Sequence, residues 1–316
     1  MNEPVRPTQE HWERSVLEKI ALSAIQEQRR SRRWSILFKS LGFLYIFVVL
    51  FMVAGWFGSD GVSTKAHTAL VDLQGVISAD GASADTVISS LQNAFEDKKT
   101  KGVILRINSP GGSPVQAGQI YDEIKRLRAL YPAIPLYAVV DDICASGGYY
   151  VAAGADRIYV DKASLVGSIG VLMDGFGFTQ TMEKLGVERR LLTAGENKGF
   201  LDPFSPVDPR QQVFAKQMLE EIHGQFINVV REGRGKRLKE TPDMFSGLVW
   251  SGERSIQLGL TDALGSVDTV ARDVIQAKDI VDFTQREGLA ERLVGKLGVT
   301  LGQAWAPFEK SGMVLR

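Results

Sequence analysis

Short apolar runs alternate with amphipathic stretches through the middle of the chain. Residues 84–97 carry apolar side chains at helical spacing, and Ser113 followed by Pro114 predicts the start of a second helix that continues to about Leu130. Residues 146–155 also have a helical composition. Apolar runs typical of buried strands occur at 69–77, 103–107, 135–140 and 157–160. This alternation predicts βαβ crossover units, parallel strand pairing and an α/β fold.

The N-terminal region carries a different pattern. Residues 36–57 are almost wholly apolar, and about 20 such residues are enough for a helix to cross a bilayer. A cluster of four arginines at 29–33 precedes this stretch, so the positive-inside rule places residues 1–35 in the cytoplasm and the chain after the span outside it. Residues 58–65 are expected to be a tether. A cleaved signal peptide fits poorly because the preceding polar region is long, and a buried core helix is the other alternative.

Composition excludes several classes of site. The chain has 316 residues with 37 basic and 37 acidic side chains, so no basic excess indicates a nucleic-acid partner. Cys144 is the single cysteine, which excludes an internal disulfide and argues against a cysteine-rich metal site. The three histidines, His11, His67 and His223, are widely spaced and form no metal-binding pattern.

Two glycine-containing loops follow predicted strands, NSPGGS (108–113) and CASGG (144–148). Ligands of α/β folds bind beyond the carboxyl ends of strands, where these loops lie. The loops could offer the N–H groups of Gly112 and Gly147 to an oxyanion beside the Ser146 hydroxyl. Tight packing explains a Gly-Gly pair equally well and is favoured on pattern alone, whereas neither loop has the spacing of a phosphate-binding loop. Cys144 lies on the presumed strand and is interpreted as a small buried residue.

A serine nucleophile needs a base, and the histidines do not supply an obvious one. Neither His67 nor His223, which lies in the helix-like stretch MLEEIHGQF, has a clear acidic orienting partner in the sequence. A Ser-Lys dyad needs no histidine.

Five ordered motifs resemble the signal peptide peptidase A (S49) family of serine peptidases, in its short form with one N-terminal anchor. The motifs are NSPGGS, ASGGYYVAAGAD, VGSIGV (166–171), GENKGFLDPFSP (195–206) and WSGERSIQLGLTDALG (250–265). The resemblance covers about 66–275. It indicates a peptidase domain at 66–277 and a C-terminal extension at 278–316, which contains an amphipathic stretch.

The resemblance implies a ClpP/crotonase-like fold of stacked βαβ units and a set of residue roles. Ser146 would be the nucleophile, Lys198 the general base, Ser168 the residue that orients the lysine, and Gly112 and Gly147 the oxyanion hole. Substrates would be signal-peptide remnants and other short hydrophobic peptides in a bacterial inner membrane, with the catalytic domain on the periplasmic side. No cofactor, metal or nucleotide is expected. A homo-oligomeric ring, with an octamer as one candidate size, would share its active sites between subunits.

A lysine acts as a base only when neutral, and burial favours the neutral form. Phe200, Leu201 and Phe204 follow Lys198 and are expected to desolvate it. Glu196 would oppose this effect if it pointed inward, so we expect it to point outward. Three other functions stay open: a related protease with specific membrane-protein substrates, a crotonase-like acyl-CoA enzyme and an inactive membrane scaffold.

Overall fold

The structure is a computed structural model that describes residues 9–53 and 65–285. These residues belong to two units, helix α1 (Gln9–Val53) and a compact body formed by residues 65–285. Most of the predicted tether and residues 286–316 of the predicted C-terminal extension, with its amphipathic stretch, lie outside the described residues. Residues 278–285 of that extension belong to the compact body.

Helix α1 is continuous through the polar N-terminal segment, the arginine cluster and the described part of the predicted span. Its segment Val16–Phe51 has a mean hydropathy of 2.0 over its most apolar window, and none of that window is buried in the molecule. By length and composition this helix can cross a bilayer.

The compact body is built on one mostly parallel sheet. Its strands are β1 (His67–Gln74), β2 (Thr100–Ser109), β3 (Leu136–Ala145), β4 (Arg157–Val160), β5 (Leu165–Gly167), β6 (Val249–Ser251), β7 (Ala263–Leu264) and β8 (Ile280–Asp282). The strand order is β6-β5-β3-β2-β1-β8, and β4 pairs with β3 and β7. Only β5 and β6 pair in the antiparallel sense among these strands. The predicted α/β class with parallel crossover units is therefore confirmed.

Helices cover this sheet and connect its strands. They are α2 (Ala84–Glu96), α3 (Pro114–Leu130), α4 (Gly147–Ala152), α5 (Thr179–Lys184), α6 (Pro209–Arg234), α7 (Gly252–Gln257) and α8 (Val267–Thr269). A 3₁₀ turn (Gly235–Arg237) follows α6, and a π-helical turn (Val270–Ile275) follows α8. The predicted start of α3 is confirmed, because Ser113 accepts a hydrogen bond from the N–H of Gln116 and Pro114 occupies the first turn. Helix α4 is shorter than predicted and ends at Ala152.

Strand β3 differs most from the sequence prediction. We predicted its end at Val140, but the strand continues to Ala145 because its second half has a separate partner. Residues 137–139 pair with β4, whereas residues 143–145 pair with β5. Cys144 lies on this continuation of the strand and is buried, as expected, and burial raises the pKa of its thiol. The extension carries the chain to Ser146 at the edge of the core.

A buried ion pair lies in the part of the core that adjoins α4. The Arg234 side chain is fully buried, and its Nη1 donates to Asp262 Oδ2 at 2.9 Å. Its Nε donates to the carbonyl of Gly259, also at 2.9 Å. The buried Tyr149 of α4 donates its hydroxyl to the carbonyl of Leu260 at 2.6 Å. The end of α6, the segment 259–262 and the start of α4 are therefore joined in one hydrogen-bonded network.

Candidate active site

Ser146 lies at a sharp turn between β3 and α4. Its backbone has φ 51° and ψ −124°, which a non-glycine residue adopts at a cost on the order of 1–3 kcal/mol. Its N–H donates to the carbonyl of Gly167 at 2.8 Å, which ties the turn to the end of β5. The hydroxyl does not cap α4. It faces a cavity in the compact body.

The loop after β2 approaches this turn with its backbone. Ile77 holds the loop on both sides: its N–H donates to Gly111 and its carbonyl accepts from Ser113, each at 2.8 Å. Gly112 between them has φ 146°, and a Cβ there would lie 2.2 Å from the carbonyl oxygen of Ile77. Only glycine fits this position. The N–H of Gly112 donates no hydrogen bond within residues 65–285.

Gly147 presents a second free N–H, at the first position of α4. A Cβ on Gly147 would lie 3.3 Å from the nitrogen of Gly112, so the two backbones are nearly in contact. The two N–H groups adjoin the Ser146 turn and line the same cavity. This arrangement can stabilise an oxyanion that forms beside the serine.

Ser168 lies on the segment that leaves β5, and it is another non-glycine residue with a positive φ, 49°. Its N–H donates to the carbonyl of Leu248 at 2.7 Å. It lines the cavity, so the structure brings four of the five predicted site residues together: Ser146, Ser168, Gly112 and Gly147.

The cavity has a volume of about 540 Å³. Helix α6 forms one wall, and the segment after β5 forms another. Most of its other lining groups are apolar or glycine: Pro114, Ala117, Tyr150, Gly170, Val171, Leu172, Ile222, Phe226 and Gly247, with Gln225 and Ser246 as polar members. A cavity of this composition suits apolar side chains.

Lys198, the fifth predicted residue, does not line this cavity. It lies in a turn between α5 and α6, where its N–H donates to the carbonyl of Gly195 at 3.1 Å. Its side chain is exposed, and within the two described units its ammonium has no hydrogen-bond or ion-pair partner.

The aromatic residues after Lys198 pack elsewhere. Phe200 contacts Phe214 edge to face, with ring centroids 5.8 Å apart, and Phe204 stacks on Phe178 at 5.4 Å. The expected desolvation of Lys198 by its own chain is therefore wrong.

The carboxylate of Glu196, two residues before Lys198, points into solvent. Glu196 is 80% exposed and lies 3.9 Å from Arg210. The expectation that Glu196 points outward is confirmed.

Exposed apolar side chains are frequent in the chain segment that leads to Lys198. Leu172, Phe176, Leu185 and Leu192 are each at least 72% exposed. A second cavity of about 830 Å³ lies between residues 173–179, residues 199–208 and α6.

The two described histidine side chains have distinct surroundings. His67 is buried, lies 3.0 Å from the carbonyl of Lys65 through Nδ1 and stacks on Phe283. His223 Nε2 lies 3.1 Å from the carbonyl oxygen of Ile169, next to Ser168. Sequence reasoning missed this contact, since 54 residues separate the two partners and no local pattern joins them.

Comparison with known proteins finds one matching family model and several similar proteins. The model of a family described as peptidase family S49 matches residues 128–281, which include Ser146, Ser168 and Lys198 but not Gly112. A candidate protease of Methanocaldococcus jannaschii is 30% identical over 213 residues, 67% of this chain and 68% of that protein. A candidate signal peptide peptidase SppA of Enterococcus faecium is 29% identical over 197 residues, 62% of this chain and 57% of that protein.

A protein of Brucella melitensis named Na(+)/H(+) antiporter NhaA is 40% identical over 247 residues, 76% of this chain. The chain spans only about a third of that protein's length, so its name describes a much longer chain. Two observations now agree: serine and glycine motifs that converge on one cavity, and relatives that include candidate proteases. The chain belongs to peptidase family S49.

Proposed function

We propose that this protein is a membrane-anchored serine endopeptidase in which Ser146 is the nucleophile and Lys198 the general base. The observation that supports it most is the strained turn at Ser146, with a free hydroxyl beside the unpaired N–H groups of Gly112 and Gly147. Such a turn exposes a nucleophile in other hydrolases that place it between a strand and a helix. Membership of a peptidase family points to peptide bonds as the substrate.

The proposed reaction is acyl transfer in two steps. Neutral Lys198 takes the proton of the Ser146 hydroxyl as its oxygen attacks the peptide carbonyl. The N–H groups of Gly112 and Gly147 hold the oxyanion of the tetrahedral intermediate. Lys198 then gives its proton to the leaving amine, and a water molecule releases the acyl group by the same route. Ser168 accepts a hydrogen bond from the lysine and keeps it oriented.

We further propose that Lys198 reaches Ser146 from a second copy of the chain. Within one chain the lysine is exposed and lies outside the cavity, and the segment that leads to it carries exposed apolar side chains. A second copy packed on that segment would remove water from the lysine and favour its neutral form. A closed ring of such contacts would place the sites inside and exclude folded proteins.

The proposed substrates are short hydrophobic peptides released in a membrane, signal-peptide remnants among them. The apolar cavity suits such side chains, and the Enterococcus relative is named a candidate signal peptide peptidase. The anchor would hold the body close to the bilayer that contains them. We also propose that the body lies outside the cytoplasm, because the four arginines precede the apolar segment of α1.

Mixing two inactive variants tests the shared dyad. Ser146→Ala and Lys198→Ala chains are each expected to be inactive alone. In co-assembled oligomers, some interfaces pair an intact serine with an intact lysine, so activity on a fluorogenic hydrophobic peptide should return. Mixed oligomers that stay inactive, once confirmed as mixed, would rule out a dyad shared between copies.

Labelling with a fluorophosphonate tests the nucleophile separately. The wild-type chain should be labelled at Ser146, and the Ser146→Ala chain should not. An acyl-CoA enzyme or an inactive scaffold with this fold would not be labelled in either form.

Topology is tested with fusions after residue 70. An alkaline phosphatase fusion should be active and a green fluorescent protein fusion dark, because the fusion site is expected outside the cytoplasm. The reverse result would place the body in the cytoplasm.

A further inference from the structure

Residues of the segment 168–172 line the cavity beside Ser146. The Ile169 side chain anchors this segment in the core, but few hydrogen bonds fix its backbone. After Gly167 it leaves the sheet, with positive φ at both Gly167 and Ser168. In the compact body, the polar backbone groups of 168–172 make two hydrogen bonds. The N–H of Ser168 donates to Leu248, and the carbonyl of Ile169 contacts His223 Nε2.

The His223 contact is the one that comes from a side chain. His223 lies on α6, the helix that also supplies Ile222, Gln225 and Phe226 to the cavity. A carbonyl oxygen only accepts hydrogen bonds, so Nε2 must carry a hydrogen and act as the donor to the carbonyl of Ile169. The contact thus couples one wall of the cavity to the other at the residue that follows Ser168.

We propose that His223 is a positioning residue: by donating from Nε2 to the carbonyl of Ile169 it fixes Ser168 and the wall 168–172 relative to Ser146. The proposal rests on the proposed function, in which Ser168 orients the base. Ser168 adopts a strained backbone, so without this bond the segment relaxes and the serine moves. Displacement of a positioning group by about 1 Å can lower catalysis by about a hundredfold.

A pair of amide variants separates the hydrogen bond from other roles of the imidazole. In His223→Gln an N–H donor remains at the reach of Nε2, whereas in His223→Asn the donor is one methylene too short. Both side chains are neutral and polar. Gln217→Asn is the matched control, since Gln217 is exposed on the same helix and does not line the cavity.

The first measurement is peptide hydrolysis. His223→Gln should keep kcat within about threefold of the wild type, and His223→Asn should lose about tenfold or more in kcat with little change in KM. Equal activity of the two variants, whether retained or lost, would overturn the proposal. So would a loss in His223→Asn that follows a lower melting temperature and disappears on cooling.

The second measurement is independent of activity. The Ser168 amide should exchange with deuterium at least about fivefold faster in His223→Asn, as expected when one hydrogen bond is lost, but not in His223→Gln or Gln217→Asn. Unchanged exchange in His223→Asn would overturn the proposal. Failure of the wild type to label at Ser146 would instead count against the proposed function, while the exchange result would still decide the role of His223.

Discussion

The regions that carry Ser146 and Lys198 are built in opposite ways. Ser146 follows a strand whose pairing continues to the preceding residue, and its N–H is bonded to Gly167. Lys198 lies between two helices in a segment where almost every side chain from residue 172 to residue 198 is exposed. One half of the proposed dyad is held by the core, and the other half is presented on the surface.

This difference shows where the strain and the stability of the molecule are located. The Ser146 turn keeps an unfavourable backbone geometry because β3, the bond to Gly167 and the buried start of α4 hold it in place. The lysine segment exposes apolar side chains to water. This exposure is unfavourable in a single chain, and association with another surface would remove it. Variants in the two regions should therefore change peptide hydrolysis and melting temperature in different proportions.

The largest expected effect is at Ser146. Ser146→Ala should lower activity by a factor of about 10⁴ to 10⁶, as removal of a catalytic serine does elsewhere. Ser146→Gly should be equally inactive, but its melting temperature should be higher than that of Ser146→Ala, because glycine adopts φ 51° without strain. Calorimetry of the two variants checks this; a Ser146→Gly protein less stable than Ser146→Ala would show that the turn is not strained.

Lys198→Arg should have the next largest effect. The guanidinium keeps its proton, so it cannot act as a base, and turnover should fall about 10² to 10⁴-fold. Because Lys198 is exposed, the melting temperature of the single chain should not change. Hydrolysis of a fluorogenic peptide and a thermal melt check both halves; near-normal turnover would mean that another group is the base.

Asp262→Asn should mainly affect folding in the Ser146 region. It leaves the buried Arg234 without its opposite charge, which typically costs about 3–5 kcal/mol. Burial raises the pKa of Asp262, but the Arg234 hydrogen bond and charge, with smaller contributions, lower it below the usual value overall. The native pKa is the lower one, so this carboxylate stabilises the fold above about pH 4 and the contribution is lost as the pH falls further.

Thermal melts of the wild type and Asp262→Asn between pH 7 and pH 3 check this, and the difference between them should shrink toward acid. Asp273→Asn is the control, because its ion pair with Arg272 is exposed on both sides and should change little. A constant difference across the pH range would exclude Asp262 as the titrating group.

Phe200→Ala in the lysine region should have the smallest effect. Its edge-to-face contact with Phe214 is worth about 0.5–1.5 kcal/mol, and both rings are at least partly exposed. A small drop in melting temperature, with the Ser146 label unchanged, is the expected result. A loss of stability as large as that of Asp262→Asn would show that the lysine region belongs to the same folding unit as the core.

Much of the Ser146 region could be predicted because local signals agree with the fold there. The cap at Ser113 and Pro114, the first half of β3 and the glycine loops each follow from neighbouring residues. The extension of β3 to Ala145 could not be predicted, because it depends on pairing with β5, which is more than twenty residues away.

The surroundings of Lys198 could not be predicted for a related reason. Adjacent apolar residues suggested that Phe200 and Phe204 would cover the lysine, but their partners are Phe214 and Phe178. His223 has no sequence signal at all, since its partner is a backbone carbonyl of a distant segment. Side-chain direction and long-range hydrogen bonds are set by tertiary packing, which hydrophobic patterns do not encode.

Strand β1 obtains its second neighbour from the far end of the compact body. It pairs with β8, so that Thr68 lies opposite Ile280, and the N–H of Asp72 donates to the hydroxyl of Thr284, 212 residues later. At about 5–20 residues per second, a ribosome needs on the order of 10–40 s to make that interval. Until then β1 is an open edge, the kind that pairs with other chains. The last strand therefore sets the time at which the nascent body stops being prone to aggregation.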